Sequence, residues 1–279
     1  MLRRLIIVFA LALVFGAGAA AWWIQSALAP VEKDPSRADV VSFEVAPGDS
    51  LGRVARSLEA EGLVRDARAA RWYARAEKLG SELKVGEYAL SRSQSTPEIL
   101  GILAEGRVRT HAVVIPEGLR ATEIADRLAE AGLADREAFL EIVRDPETSR
   151  RLGVEGPGLE GYLFPDTYRF ARGLPAERIA AAMVEEFRSV YRELEPEARR
   201  QGLSMRELVT LASIVEKETG VASERPLIAS VFLNRIDRGM RLETDPTVIY
   251  GIPDFDGNLK RVHLEDPGNP YNTYRIRGL

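Results

Sequence analysis

Cysteine is absent from the 279 residues, and histidine occurs twice, as His111 and His263. The first absence excludes disulfides, thiol nucleophiles, cysteine-held zinc and most iron–sulfur ligation. The second leaves a Ser–His triad or a multi-histidine metal site with two positions to draw on. No charge of one sign dominates: 38 Lys and Arg stand against 42 Asp and Glu, for a formal charge of -4. The basic stripe of a nucleic-acid binder is therefore not indicated. What remains is a chain 46% hydrophobic and 29% charged. It has enough apolar residues for a sizeable core, in one large domain or two modest ones.

Leu5 to Ile24 reads LIIVFALALVFGAGAAAWWI without a charge. A run of about 20 residues is the length of a helix across a bilayer core. Arg3 and Arg4 precede it, and Glu32 and Asp34 follow. This charge order places the N-terminus in the cytoplasm and the rest outside, with Trp22 and Trp23 at the outer interface. A cleaved signal peptide competes, with Ala17, Ala19 and Ala21 as a small-residue cleavage cluster. Its apolar stretch is usually only about 7–15 residues, so length favours a stub and anchor over 1–28. Residues 29–39, with Pro30 and Pro35, read as a linker.

From Ser42 the chain reads SFEVAPGDSLGRVARSLEAEGLV. Alternation around Phe43 and Val45 predicts a strand. Pro47-Gly48-Asp49 predicts a turn, and Leu51, Val54, Ala55 and Leu58 mark one face of a helix ending at Gly62. A second helix over 67–79 and a strand over 86–90 complete a small α+β module. The pattern returns from His111: Gly48, Ala55, Leu58, Gly62 and Leu63 match Gly118, Ala125, Leu128, Gly132 and Leu133 at one constant offset. That predicts a strand–turn–helix unit used twice. Gly48-Asp49-Ser50-Leu51 with Val54-Ala55 resembles the LysM carbohydrate-binding module. Further on, Tyr162, Phe164, Tyr168 and Phe170 alternate as on a strand in their second half, with sugar stacking and core packing both open and core favoured for at least two. An amphipathic helix is predicted over Pro175 to Arg192.

Ser204 to Gly220 reads SMRELVTLASIVEKETG. Ser204 with Glu207 makes a capping box, and Gly220 is a natural stop. At roughly 100° per residue, Leu208, Leu211, Ala212 and Val215 form an apolar stripe, with Glu218 beside Leu211 at its margin. Partial burial and the negative helix end would both favour the neutral carboxyl, which a general acid needs. Pairing with Lys217, Arg225 or Arg235 on the surface is the plainer alternative, and periodicity does not choose. Ser223 is expected to cap a following helix with Pro226 in its first turn and Gly239 at its end. The short connection predicts an antiparallel pair, gathering Glu218, Ser223, Glu224 and Arg225 in one locality.

IVEKETGVASER (Ile214 to Arg225), SVFLNRIDRGMRLETDPTVIYG (Ser230 to Gly251), YNTYRIRGL (Tyr271 to Leu279) and LEGYLFPDTY (Leu159 to Tyr168) resemble the endolytic murein transglycosylase family, the MltG/YceG-like proteins. The resemblance implies an α+β chain: an N-terminal transmembrane helix, a LysM-like α/β subdomain over 40–109, and a mixed, mainly helical catalytic domain over 110–279. It implies a lyase of the bacterial inner membrane, with its catalytic part outside the cytoplasm. Such an enzyme cuts MurNAc–GlcNAc bonds within peptidoglycan strands and leaves 1,6-anhydro-MurNAc ends. Glu218 matches the family's catalytic glutamate. Asn234, Arg235, Glu243, Thr244, Asp245, Thr247, Tyr250, Asn272 and Tyr274 occupy matching positions where substrate contacts are expected. No metal or cofactor is implied. The expected partners are glycan strands, the membrane and peptidoglycan synthases, with no nucleic acid. Two departures stand out: Glu243 replaces a common glutamine, and the chain stops at Leu279, where the family continues, so a truncated sequence is expected. A peptidoglycan-binding scaffold with an inert catalytic-like domain is the competing reading.

Overall fold

The computed structural model describes residues 15–16, 18–19, 21–79 and 83–279. The expected membrane span lies largely outside these residues. Residues 21–28 are helical, and among the described residues no helix is long and apolar enough to cross a membrane. The following segment is held in place. Arg65 donates to the Pro30 carbonyl through Nε (2.9 Å) and Nη2 (2.7 Å), and to the Val31 carbonyl at 3.1 Å. Asp34 then caps a 3-10 turn over Pro35–Arg37.

The described residues fall into two compact units: those up to 111 with 169–173, and 112–168 with 174–279. In the first, strand β1 (Val40–Val45) pairs antiparallel with β2 (Gly86–Ser91), and Phe43 faces Tyr88 across the register. Helices α1 (Leu51–Ala60), α2 (Ala67–Ala76) and α3 (Thr96–Glu105) complete the unit. Each starts on a capping side chain: Ser50, Asp66, and the reciprocal Ser95–Glu98 box. Phe43, Val45, Leu58, Leu63, Tyr88, Leu90, Ile99 and Leu103 form its core.

In the second unit, α4 (Ala121–Glu130), α5 (Arg136–Arg144) and α6 (Pro146–Leu152) precede α7 (Ala176–Arg200). Leu128, Phe139, Leu140, Ile179 and Met183 are buried there. Strands β3 (Thr110–Val114) and β4 (Thr167–Ala171) pair with each other, and the division between units falls within both. The strand–turn–helix repeat is visible in the backbone. Gly48 and Gly118 both turn at positive φ (83° and 74°), as do Gly62 and Gly132 (67° and 65°). Ala55, Leu58 and Leu63 are buried, and so are Ala125, Leu128 and Leu133.

Tyr168 and Phe170 lie on β4, where their alternation predicts a strand, and Tyr162 and Phe170 are the two buried members. One expectation needs correction. Helix α7 does not stop at Arg192 but continues to Arg200 through Pro196. Proline removes one helical hydrogen bond, yet Ala198 beyond it is buried, and packing carries the last turns.

Candidate active site

The site is built from the end of α8 (Met205–Glu218), the loop before α9 (Arg225–Asp237), the start of α10 (Asp245–Tyr250), and a turn over 269–274 that follows α11 (Arg261–Glu265). Helix α8 starts on the Ser204–Glu207 box, whose two bonds are 3.2 and 2.8 Å. Its buried residues are Leu211, Ile214 and Val215, while Leu208 is half-buried and Ala212 exposed. At about 100° per residue from Leu208, these three fall near −60°, −120° and −20°. The apolar stripe is therefore rotated from the expected line, and Glu218, near −80°, sits at its centre rather than its margin. The core of Leu211, Ile214, Val215, Phe232 and Leu242 ends one turn short of it. Glu218 is consequently exposed, and the partial burial expected of it is absent. The helix ends because Thr219 turns extended (φ −146°), one residue before Gly220.

Thr244 meets Glu218 from the other side. Its hydroxyl donates to Glu218 Oε1 in a short hydrogen bond. Thr244 is buried, and a web of threonines fixes it. Its amide donates to Thr273 Oγ1 at 3.1 Å, and its carbonyl accepts from Thr247 Oγ1 at 2.8 Å. Thr247 and Thr273 hydroxyls are also 2.8 Å apart. The preceding Glu243 adopts φ 51°, a left-handed conformation uncommon for a residue with a Cβ. Arg235 holds this segment from α9, donating to the carbonyls of Arg241 (3.2 Å) and Leu242 (2.7 Å) and pairing with Glu243 at 3.5 Å.

Tyr274 donates its hydroxyl to Asp245 Oδ1 at 2.8 Å. Burial pushes that phenol up to about 12, helped by the bond to Asp245 and by the nearby carboxylates of Asp245, Glu243 and Glu218. The phenol therefore stays a donor at any physiological pH. Asn272 is 0% exposed. Its Nδ2 donates to the carbonyls of His263, Leu264 and Asp266, and its Oδ1 accepts from the Tyr274 amide. Its side chain shapes the turn that presents Tyr274 and leaves no polar atom for a sugar. Asn234 lies exposed on α9, and no side-chain bond joins it to the Glu218 cluster.

Tyr250 stands apart from the threonine web. Its ring packs edge-on to Tyr271 at 4.8 Å and under the Arg120 guanidinium at 4.9 Å. Both tyrosines are exposed, an aromatic surface suited to a sugar face. Burial of the Tyr250 hydroxyl and the Glu160 carboxylate push that phenol up to about 12. Around the loop, Arg225 pairs with Glu216 at 3.0 Å, and Glu224 accepts from the Thr219 hydroxyl at 2.7 Å. Ser223, expected as a helix cap, lies instead in a 3-10 turn over Ala222–Glu224, and α9 starts without a side-chain cap.

Residues 43–279 match the YceG-like family. The chain belongs to this family. It is 30% identical to the endolytic murein transglycosylase of Bacillus subtilis, with 94% of the chain and 76% of that protein covered. It is 28% identical to the endolytic murein transglycosylase of Streptococcus pneumoniae strain D39 over 92% of its own length, and spans only 52% of that protein. A crystal structure of a yceG-like protein from Listeria monocytogenes matches with a TM-score of 0.55 at 31% identity, covering 86% of this chain and 84% of that one. The mainly helical α+β architecture is thus that of the YceG-like fold.

Three residues of this YceG-like site were not singled out from sequence. Thr273 joins Thr244 to Thr247, and its signal lay between Asn272 and Tyr274 in YNTYRIRGL. Arg120 and Tyr271 complete the Tyr250 surface. Tyr271 opens that same motif, whereas Arg120 lies about 130 residues before Tyr250 in the chain, a separation that local patterns do not bridge.

Proposed function

We propose that this YceG-like chain is a membrane-anchored endolytic murein transglycosylase, in which Glu218 serves as both acid and base. The observation that carries the reading is the Thr244 hydroxyl bonded to Glu218 Oε1. That bond holds one carboxyl oxygen of an exposed side chain. An oriented, solvent-facing carboxyl at the end of a helix is placed to meet a glycosidic oxygen.

In the proposed reaction, Glu218 gives its proton to the oxygen linking MurNAc to GlcNAc. The bond from that oxygen to the MurNAc anomeric carbon breaks, and the GlcNAc side leaves as an alcohol. The MurNAc 6-hydroxyl then attacks the anomeric carbon and loses its proton to the Glu218 carboxylate. Atoms and protons balance, and no water is consumed. One carboxyl suffices because the sugar supplies its own nucleophile, whereas hydrolases use two. Intramolecular attack also gains from proximity. Tyr274, Asp245 and Glu243 would line the approach to Glu218, and Tyr250 with Tyr271 would stack a neighbouring sugar. The LysM-like part over 40–109 would hold the strand, and residues 1–28 would keep the enzyme at the inner membrane beside peptidoglycan synthases.

Digestion of peptidoglycan in water enriched in oxygen-18 tests this reading. Transglycosylation predicts internal cuts whose new ends are anhydro-MurNAc and carry no heavy oxygen. Reducing ends labelled with oxygen-18 would show a hydrolase instead, and binding without new ends would show a scaffold.

A further inference from the structure

The outer face of α2 has no role in the proposed reaction, yet its composition is unusual. ARAARWYARA carries Arg68, Arg71 and Arg75 and no acidic residue. Helical spacing places Arg68, Arg71, Trp72 and Arg75 on one side. Trp72 is 54% exposed. Trp23 and Ile24, at the end of the apolar N-terminal run, line one surface cavity together with Arg68, Ala69 and Trp72. Trp22 and Trp23 are themselves 72% and 49% exposed. All the tryptophans of the chain therefore lie in this one region of the first unit.

The chain between the apolar run and this unit has little slack. Six residues after Ile24, the Pro30 and Val31 carbonyls are gripped by Arg65, which stands just before α2. A tryptophan at the end of a membrane span sits at the level of the lipid head groups. Trp72 and Arg68, which share a cavity with Trp23, then sit at that level too. Arginines and an indole on one face are the combination that binds an acidic lipid surface.

From this we infer that Arg68, Arg71, Trp72 and Arg75 form a docking face for acidic phospholipid head groups, laying the first unit against the outer leaflet. The inference rests on the membrane-anchored reading above. It is independent of the reaction at Glu218.

The test uses the full chain carrying Trp22→Phe and Trp23→Phe, which leaves Trp72 as the sole tryptophan. It is reconstituted into phosphatidylcholine vesicles with and without phosphatidylglycerol, with bromine on the lipid chains near the head groups. The expected result is bromolipid quenching of Trp72 in acidic vesicles, falling about twofold without phosphatidylglycerol or in the Arg68→Gln/Arg71→Gln/Arg75→Gln variant. A chain that floats with the vesicles while Trp72 is quenched only by aqueous iodide would overturn the docking face and leave the anchor standing. Equal quenching in neutral and acidic vesicles would overturn the role of the arginines. Shielding of Trp72 by added glycan strands alone would assign the face to sugar. A chain that does not float at all fails at the anchor and takes the docking face with it.

Discussion

One hydroxyl governs how the Glu218 carboxyl is presented. Thr244→Val keeps the side-chain shape and removes the donor to Oε1. The expected outcome is a fall in kcat of about 10²-fold with KM little changed, because a disoriented acid loses most of a general acid's contribution. Thr244→Ser should retain most activity, which separates loss of the hydroxyl from loss of fold. Rates of anhydro-end release measure both. Asn272 behaves oppositely. Its buried amide makes four hydrogen bonds to backbone, so Asn272→Ala should cost about 3 kcal/mol of stability and lower Tm by roughly 10 °C. A calorimetric scan checks this. Asn272 also marks a limit of reading residues by type. An asparagine in a sugar enzyme's motif suggests a hand on the sugar, and only its burial shows that it holds the turn instead. Thr244 and Tyr274 entered the candidate site through the motif, while Thr273, which joins Thr244 to Thr247, was not singled out.

At the scale of elements, the strand–turn–helix repeat was the most legible feature, because glycines at positive φ leave a fixed signature. Gly48→Ala should destabilise the protein by about 1–2 kcal/mol through backbone strain alone, since nothing lies near the added methyl. Gly118→Ala should cost a similar amount, as its nearest neighbours are the flexible ends of Lys217 and Glu216 at 3.5 Å and beyond. Urea unfolding of both variants checks the equivalence of the two turns. Other elements escape a periodic reading for physical reasons. Helix α3, TPEILGILAE, buries Ile99, Leu100, Ile102 and Leu103, and a helix apolar on several faces has no stripe to detect. On α8 the presence of Ile214 rotated the stripe toward Glu218, and the core stopped before it. Helical angles give direction, but not where the neighbouring element ends.

For the whole molecule, the family and the mainly helical α+β class were readable from long motifs. The pairing of β4 with β3 was not, because strand partners distant in sequence leave no local pattern. A pH dependence belongs to the first unit. Glu87 accepts from the Ser42 hydroxyl at 2.5 Å, lies 3.0 Å from His111 Nε2, and pairs with Arg109 at 3.2 Å. The Ser42 and His111 bonds, more than the arginine's charge, hold its carboxyl below the usual carboxylate value. Stability from this group is therefore present above the unfolded carboxylate value and lost as pH falls through the folded one. Glu87→Gln should lower the urea midpoint at pH 7 while narrowing its difference from wild type in acid. Whether one carboxyl performs the whole reaction is decided by digesting purified glycan strands with wild type, Glu218→Gln and Glu243→Gln. Anhydro-MurNAc ends are expected from wild type and Glu243→Gln, and none from Glu218→Gln. Anhydro ends persisting in Glu218→Gln, or lost in Glu243→Gln with Glu218 intact, would contradict a one-carboxyl reaction.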